Sequence, residues 1–167
     1  MKINYFEKCP RLEDIRSKFR ELAFTFHPDR GGSTEIMQEV NAQYLEALKA
    51  LHGTKTFTAE NKEYEYKYNA NLEKEIIEKL QAILAIEMTG VDVLLIGTWI
   101  WVVGATKEYK DTIKTLGFKW HREKTCWFYH VGKWRGKGSK KSLEDIADTY
   151  GYKKYVSQLR SKIAYGA

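Results

Sequence analysis

Pro28 stands between two runs of apolar residues that share a helical period, and that break constrains the fold of the first third of the chain. Before it, Leu12, Ile15, Phe19, Leu22, Ala23 and Phe26 recur every three or four residues, the stripe of an amphipathic helix. Proline disfavours helical geometry in the residue before it, here His27. Gly31-Gly32 then supplies a tight turn, and Ser33 or Thr34 is placed to cap a new helix. Ile36, Met37, Val40, Tyr44, Ala47, Leu48 and Leu51 form the second stripe, closed by Gly53. Two such helices joined by a short polar loop predict an antiparallel helical hairpin.

Residues 54–69 (TKTFTAENKEYEYKYN) have no clean period and read as a linker. A third helix follows from about Leu72 to Glu87, with Leu72, Ile76, Ile77, Leu80, Ile83 and Leu84 on one face and Gly90 at its end. Beyond Gly90 the period changes to two. Asp92–Ile96 and Thr98–Val103 read as strands, with Trp99 and Trp101 on one face and Ile100 and Val102 on the other. A helix over Lys107–Leu116 is closed by Gly117. Phe118–His121 and Cys126–Val131 are two more strands around an Arg-Glu-Lys-Thr turn. A Gly/Lys-rich loop, Gly132–Lys141, leads to a last helix capped at Ser142, and a further short helix is expected from Tyr152. The fold class is therefore α+β: an N-terminal helical hairpin, a connecting helix, and a small C-terminal antiparallel sheet with helices. The expected domains are 1–53, a linker and connecting helix over 54–90, and 91–167.

Charge divides along the same line. Residues 1–96 carry 13 Lys and Arg against 16 Asp and Glu, a net −3, whereas residues 97–167 carry 15 against 6, a net +9. The longest apolar run, Val93–Val103, is interrupted by Gly97 and Thr98 and is too short to span a bilayer. No charged-then-apolar signal segment opens the chain, and Cys9 and Cys126 are too few for a disulfide framework. A cytoplasmic location without membrane association is expected.

The tripeptide His27-Pro28-Asp29, in its setting "DIRSKFRELAFTFHPDRGG", resembles the J domain of DnaJ-type co-chaperones. "MQEVNAQYLEAL" resembles that family's third helix, and "HPDRGG" with the following Met-x-x-x-Asn-x-x-Tyr spacing looks closest to the compact J domains of viral and plasmid proteins. The resemblance covers roughly residues 3–52. It implies a DnaK-type seventy-kilodalton heat-shock chaperone as partner, with His27, Pro28 and Asp29 coupling docking to ATP hydrolysis there. At 100° per residue, Arg16, Arg20 and His27 fall within about 40° of one another, predicting a basic face beside the apolar stripe that suits an acidic partner surface. The chain departs from the family at Glu21 and Thr25, where J domains commonly carry basic residues, and at Phe19, the usual tyrosine. It also lacks a Gly/Phe-rich stretch and Cys-x-x-Cys repeats. The bland alternative is a helical hairpin with an incidental turn motif.

His27 and Asp29 lack a third group and a nucleophile that would make them catalytic, and His52, His121 and His130 have no metal spacing with either cysteine. The chain is expected to be no enzyme and to need no cofactor or metal.

All five tryptophans, Trp99, Trp101, Trp120, Trp127 and Trp134, lie in residues 97–141 among lysines and arginines. Rings interleaved with cations are the ingredients of a single-strand nucleic-acid surface. The candidate residues for DNA, RNA or an acidic protein client are Arg122, Lys124, Trp127, Tyr129, Lys133, Trp134, Arg135, Lys137 and Lys140. A sheet this small also needs large apolar residues for its core, so Trp99, Trp101 and Trp120 are expected to be buried. Trp127 and Tyr129 share a face opposite Cys126 and Phe128, and one set should be the more open. The stretch "IGTWIWVVGATKEYKDTIKTLGFKW" with "KTCWFYH" resembles a module attached to J domains in phage and mobile-element proteins. Three functions follow as expectations: a co-chaperone delivering a client through its C-terminal domain, a nucleic-acid-binding module with a J-type docking handle, or a virus-type inhibitor of a host nuclease or defence protein.

Overall fold

The computed structural model describes residues 2–57, 62–131, 141–143 and 145–146. The chain divides into two compact units, Met1–Ala85 and Ile86–Ala167.

In the first unit, α1 (Leu12–Phe26) and α2 (Thr34–Ala50) form the hairpin. Phe19 and Tyr44 stack across it with ring centroids 3.9 Å apart, and both are fully buried. Ser33 caps α2 by accepting from the Ile36 N–H at 3.3 Å, satisfying one of the orphan donors of the first turn. Before α1, Phe6 is buried and packs near Tyr44.

Two parts of the segment expected to be a linker are structured. Lys55–Phe57 (β1) pairs antiparallel with Glu63–Glu65 (β2), and Tyr66 just after them is buried. Strands this short show too few residues for a period of two to register in the sequence. The third helix, α3 (Ala70–Leu84), starts at an Asn69 cap that accepts from the N–H groups of Asn71 and Leu72. It packs on both α1 and α2 and buries Ile76, Ile77, Leu80, Ile83 and Leu84. The first compact unit therefore extends to Ala85 and takes in this helix. A two-helix hairpin leaves apolar surface that a third amphipathic helix covers, at roughly 1.5–3 kcal/mol for each large side chain buried.

The second unit holds a four-stranded antiparallel sheet in the order β3-β4-β6-β5. Its strands are β3 (Val91–Ile96), β4 (Trp99–Gly104), β5 (Lys119–His121) and β6 (Cys126–His130). A single 3₁₀ turn, Lys107–Tyr109, runs into the short α4 (Lys110–Thr115), which buries Ile113. Ser142 Oγ accepts from the Asp145 N–H at 3.1 Å, the cap its sequence position predicts. Leu143, Asp145 and Ile146 after it are helical, with Leu143 and Ile146 buried; the rest of that expected helix and the further one expected from Tyr152 lie outside the described residues. Among the described residues, no helix is long and apolar enough to cross a membrane.

Candidate functional site

The loop between α1 and α2 is built on His27. Pro28–Arg30 form one 3₁₀ turn, with Arg30 N–H and Gly32 N–H donating to the His27 carbonyl at 3.0 and 2.9 Å. Gly31 closes the turn at φ +81°, a left-handed conformation that glycine adopts without a Cβ penalty. A Cβ on Gly32 would run into the Phe26 backbone, so the second glycine is required by close approach.

The His27 ring is buried and bonded on both sides. Its Nδ1 accepts from the Asp29 N–H at 3.1 Å, which leaves the proton on Nε2, and Nε2–H donates to the Gln81 carbonyl at 2.9 Å. Arg30 Nη1 donates to the Leu84 carbonyl at 3.4 Å. The last turn of α3 has no basic residue of its own. Loop side chains thus satisfy carbonyls at its C-terminal end, where positive charge is favoured. Gln81 in turn bonds Asn41 on α2 at 3.1 Å. Pro28 and Asp29 remain exposed.

Arg16 does not belong to the exposed basic face expected of it. It is 2 % exposed and forms a bidentate ion pair with Glu73 of α3, at 3.2 and 3.0 Å. Tyr44 Oη accepts from Arg16 Nη1 at 3.0 Å, and Tyr66 Oη donates to Glu73 at 2.9 Å. Desolvation opposes the charge on Arg16, but Tyr44 and Glu73 outweigh it and raise the guanidinium pKa. Burial raises the Tyr66 and Tyr44 hydroxyls, the latter against the pull of Arg16. The helical-wheel angle was right; α3 widened the buried arc until it took in Arg16.

Arg20 stays half-buried at the surface, and it does not act alone. Its guanidinium lies 5.3 Å from the centroid of Phe24, which is 41 % exposed, and that of Arg30 lies 4.1 Å from the same ring. The aromatic holds cations from α1 and from the loop in one patch, adjoining Pro28 and Asp29 in sequence. Neither Phe24 nor Arg30 was signalled by spacing; the clue was an exposed aromatic one helical turn after an arginine.

In the second unit the rings sort by strand register. Trp99, Trp101, Phe128 and His130 share one face, with Trp99 and Trp101 stacked at 5.4 Å and Trp99 4.4 Å from His130. Trp120 and Trp127 lie opposite each other on the other face, edge to face at 5.5 Å, and Tyr129 packs against Phe118 there. Trp101 is buried as expected, Trp99 only half-buried, and Trp120 is 42 % exposed. Trp120 sits on a three-residue edge strand, with a neighbouring strand on one side only among the described residues. Alternation along β6 does not produce one open face: Cys126 is buried, while Trp127, Phe128, Tyr129 and His130 are all half-buried.

The turn after β5 exposes Arg122 and Glu123. His121 Nδ1 accepts from the Lys124 N–H at 3.2 Å, and partial burial followed by the nearby Lys124 charge lowers the His121 pKa. Burial pushes the Cys126 thiol up to about 12. The other candidates, Lys133, Trp134, Arg135, Lys137 and Lys140, lie outside the described residues. Among the described residues, no three His, Cys, Asp or Glu groups cluster as a metal site requires. Compared with protein-family models, with curated proteins and with solved structures, the chain matches none.

Proposed function

We propose that the chain is a cytoplasmic co-chaperone of the J-domain type, not itself an enzyme. Its N-terminal unit recruits a DnaK-type chaperone and stimulates ATP hydrolysis there; the basic C-terminal unit selects the client. One observation carries the reading. Pro28 and Asp29 are presented to solvent on a turn that His27 fastens from beneath, next in the chain to the Arg20–Phe24–Arg30 patch. A rigid turn carrying a carboxylate beside steering cations suits docking onto a mixed-charge surface with little ordering cost. The docking set is accordingly His27, Pro28, Asp29 and Arg20, with Phe24 and Arg30 joining and Arg16 holding the fold.

Steady-state ATPase measurements with a DnaK-type chaperone test this. The wild type should stimulate turnover, and Asp29→Asn, which changes only an exposed side chain, should abolish the effect. Absence of stimulation at saturating protein, or full stimulation by Asp29→Asn, overturns the proposal.

A further inference from the structure

The sequence places a large positive excess on residues 97–167, and the described part of that segment contains one tryptophan open to solvent. Trp120 projects from edge strand β5 at 42 % exposure. Trp127, directly across the ladder, meets it edge to face at 5.5 Å and braces the ring from β6. The hairpin that carries both rings is fixed at its turn: Lys124 N–H bonds His121, Thr125 takes φ +48°, and its N–H donates to the Arg122 carbonyl at 3.4 Å. Arg122 at the turn is exposed, Lys124 is half-buried and Glu123 is the one carboxylate between them; Lys119 is exposed too but, paired with Phe128, lies on the face opposite Trp120.

We propose that this hairpin binds single-stranded DNA, with a base stacked on Trp120 and a phosphate held by Arg122. An exposed ring with an exposed cation two residues away on the same hairpin matches the alternation of base and phosphate along a single strand. A duplex keeps its bases stacked inside and has none to offer the ring. The ring and the cation read base and phosphate alone, so the contact requires no 2′-hydroxyl. Trp127 limits the freedom of Trp120, so little ordering cost opposes stacking. The proposal rests on the second unit and is independent of the chaperone reading.

Fluorescence anisotropy with the full chain tests it, using labelled oligothymidylate of about twenty nucleotides, a duplex of equal length and oligouridylate across a salt series. The wild type should prefer the single strand to the duplex and bind RNA no more than severalfold better than DNA. Trp120→Ala should weaken binding by about tenfold or more, while Trp120→Phe retains most of it. Arg122→Ala should lower the slope of log affinity against log salt by about 0.7, the loss of one phosphate contact. Lys8→Ala, removing an exposed charge from the first unit, should change neither. Circular dichroism of each variant confirms folding. Equal binding of duplex, full affinity in Trp120→Ala, a Lys8→Ala loss matching that of Arg122→Ala, tenfold preference for RNA, or no binding at low salt would each overturn the proposal. If Trp120→Ala fails to fold, the Trp120→Phe and Arg122→Ala arms decide it.

Discussion

His27 donates its Nε2–H to the backbone carbonyl of Gln81, fifty-four positions along the chain and 2.9 Å away. The ring that the turn motif singles out is therefore a fastener between the α1–α2 loop and the end of α3, and Asp29 is the side chain that reaches solvent. The two residues should separate experimentally. His27→Gln should destabilise the first unit by about 1–2 kcal/mol through loss of one or both ring hydrogen bonds. Asp29→Asn should stay within about 0.5 kcal/mol of wild type, as an exposed substitution. Urea unfolding followed by circular dichroism measures both. Equal stabilities for the two variants would mean that the ring is not a fastener.

The buried Arg16–Glu73 pair makes a second, sharper prediction. Either Arg16→Met or Glu73→Gln leaves a polar or charged partner stranded between α1 and α3, and should cost about 3–5 kcal/mol. Replacing both, as Arg16→Met with Glu73→Leu, removes the stranded group and should recover much of that loss. Tyr66 and Tyr44 would still lack the partners they have now, so recovery is incomplete. A double variant no more stable than the worse single variant would show that the pair contributes through packing alone.

The adjacent glycines of the loop should respond to different degrees and for different reasons. Gly31 has open space where a Cβ would go and a φ of +81°, so Gly31→Asn, a residue that tolerates this region, should cost about 1 kcal/mol or less. Gly32 meets the Phe26 backbone, which cannot rotate aside as a side chain could. Gly32→Ala should therefore shift the loop and cost about 1–3 kcal/mol. Thermal melts of the two variants order the effects; Gly31→Asn being the more damaging would contradict the structure.

The legibility of this fold follows the range of the signals. The α1 and α2 stripes and strands β3, β4 and β6 were readable because each repeats a local period over five or more residues; the Ser33 cap was readable from residue type, and the three-residue β5 from Gly117 before it and the Arg-Glu-Lys-Thr turn after it. What was missed depends on contacts between distant segments. Nothing local to α1 says that Glu73 will reach Arg16, and the angle that placed Arg16 beside the stripe is the same angle that lets α3 cover it. The β1–β2 hairpin escaped because three residues per strand cannot show alternation. Trp120 was misplaced for a different reason. Its type argues for burial, whereas its position on an edge strand argues against, and edge position is a property of strand order, which the sequence does not state. Of the candidate site, His27, Pro28 and Asp29 were legible as a motif; the division of labour among them required the Gln81 contact.

The β5–β6 turn should loosen in acid. His121 accepts the Lys124 N–H through Nδ1, which only the neutral ring can do. Burial and then the Lys124 charge lower its pKa from the ordinary 6.5. The folded chain therefore holds the proton less tightly than the unfolded one. Above about pH 6.5 the ring is neutral in both states and its contribution to stability is complete; as pH falls below that value the unfolded chain gains protons first, and the contribution declines until the folded ring also titrates. His121→Asn keeps an acceptor near the position of Nδ1 but cannot titrate. Between about pH 7.5 and about pH 5 the wild type should lose more stability than His121→Asn in urea unfolding. An NMR titration of the ring should place its midpoint below that of an unstructured histidine. Parallel pH profiles for the two proteins, or a midpoint above the unstructured value, would show that the turn does not depend on a neutral His121.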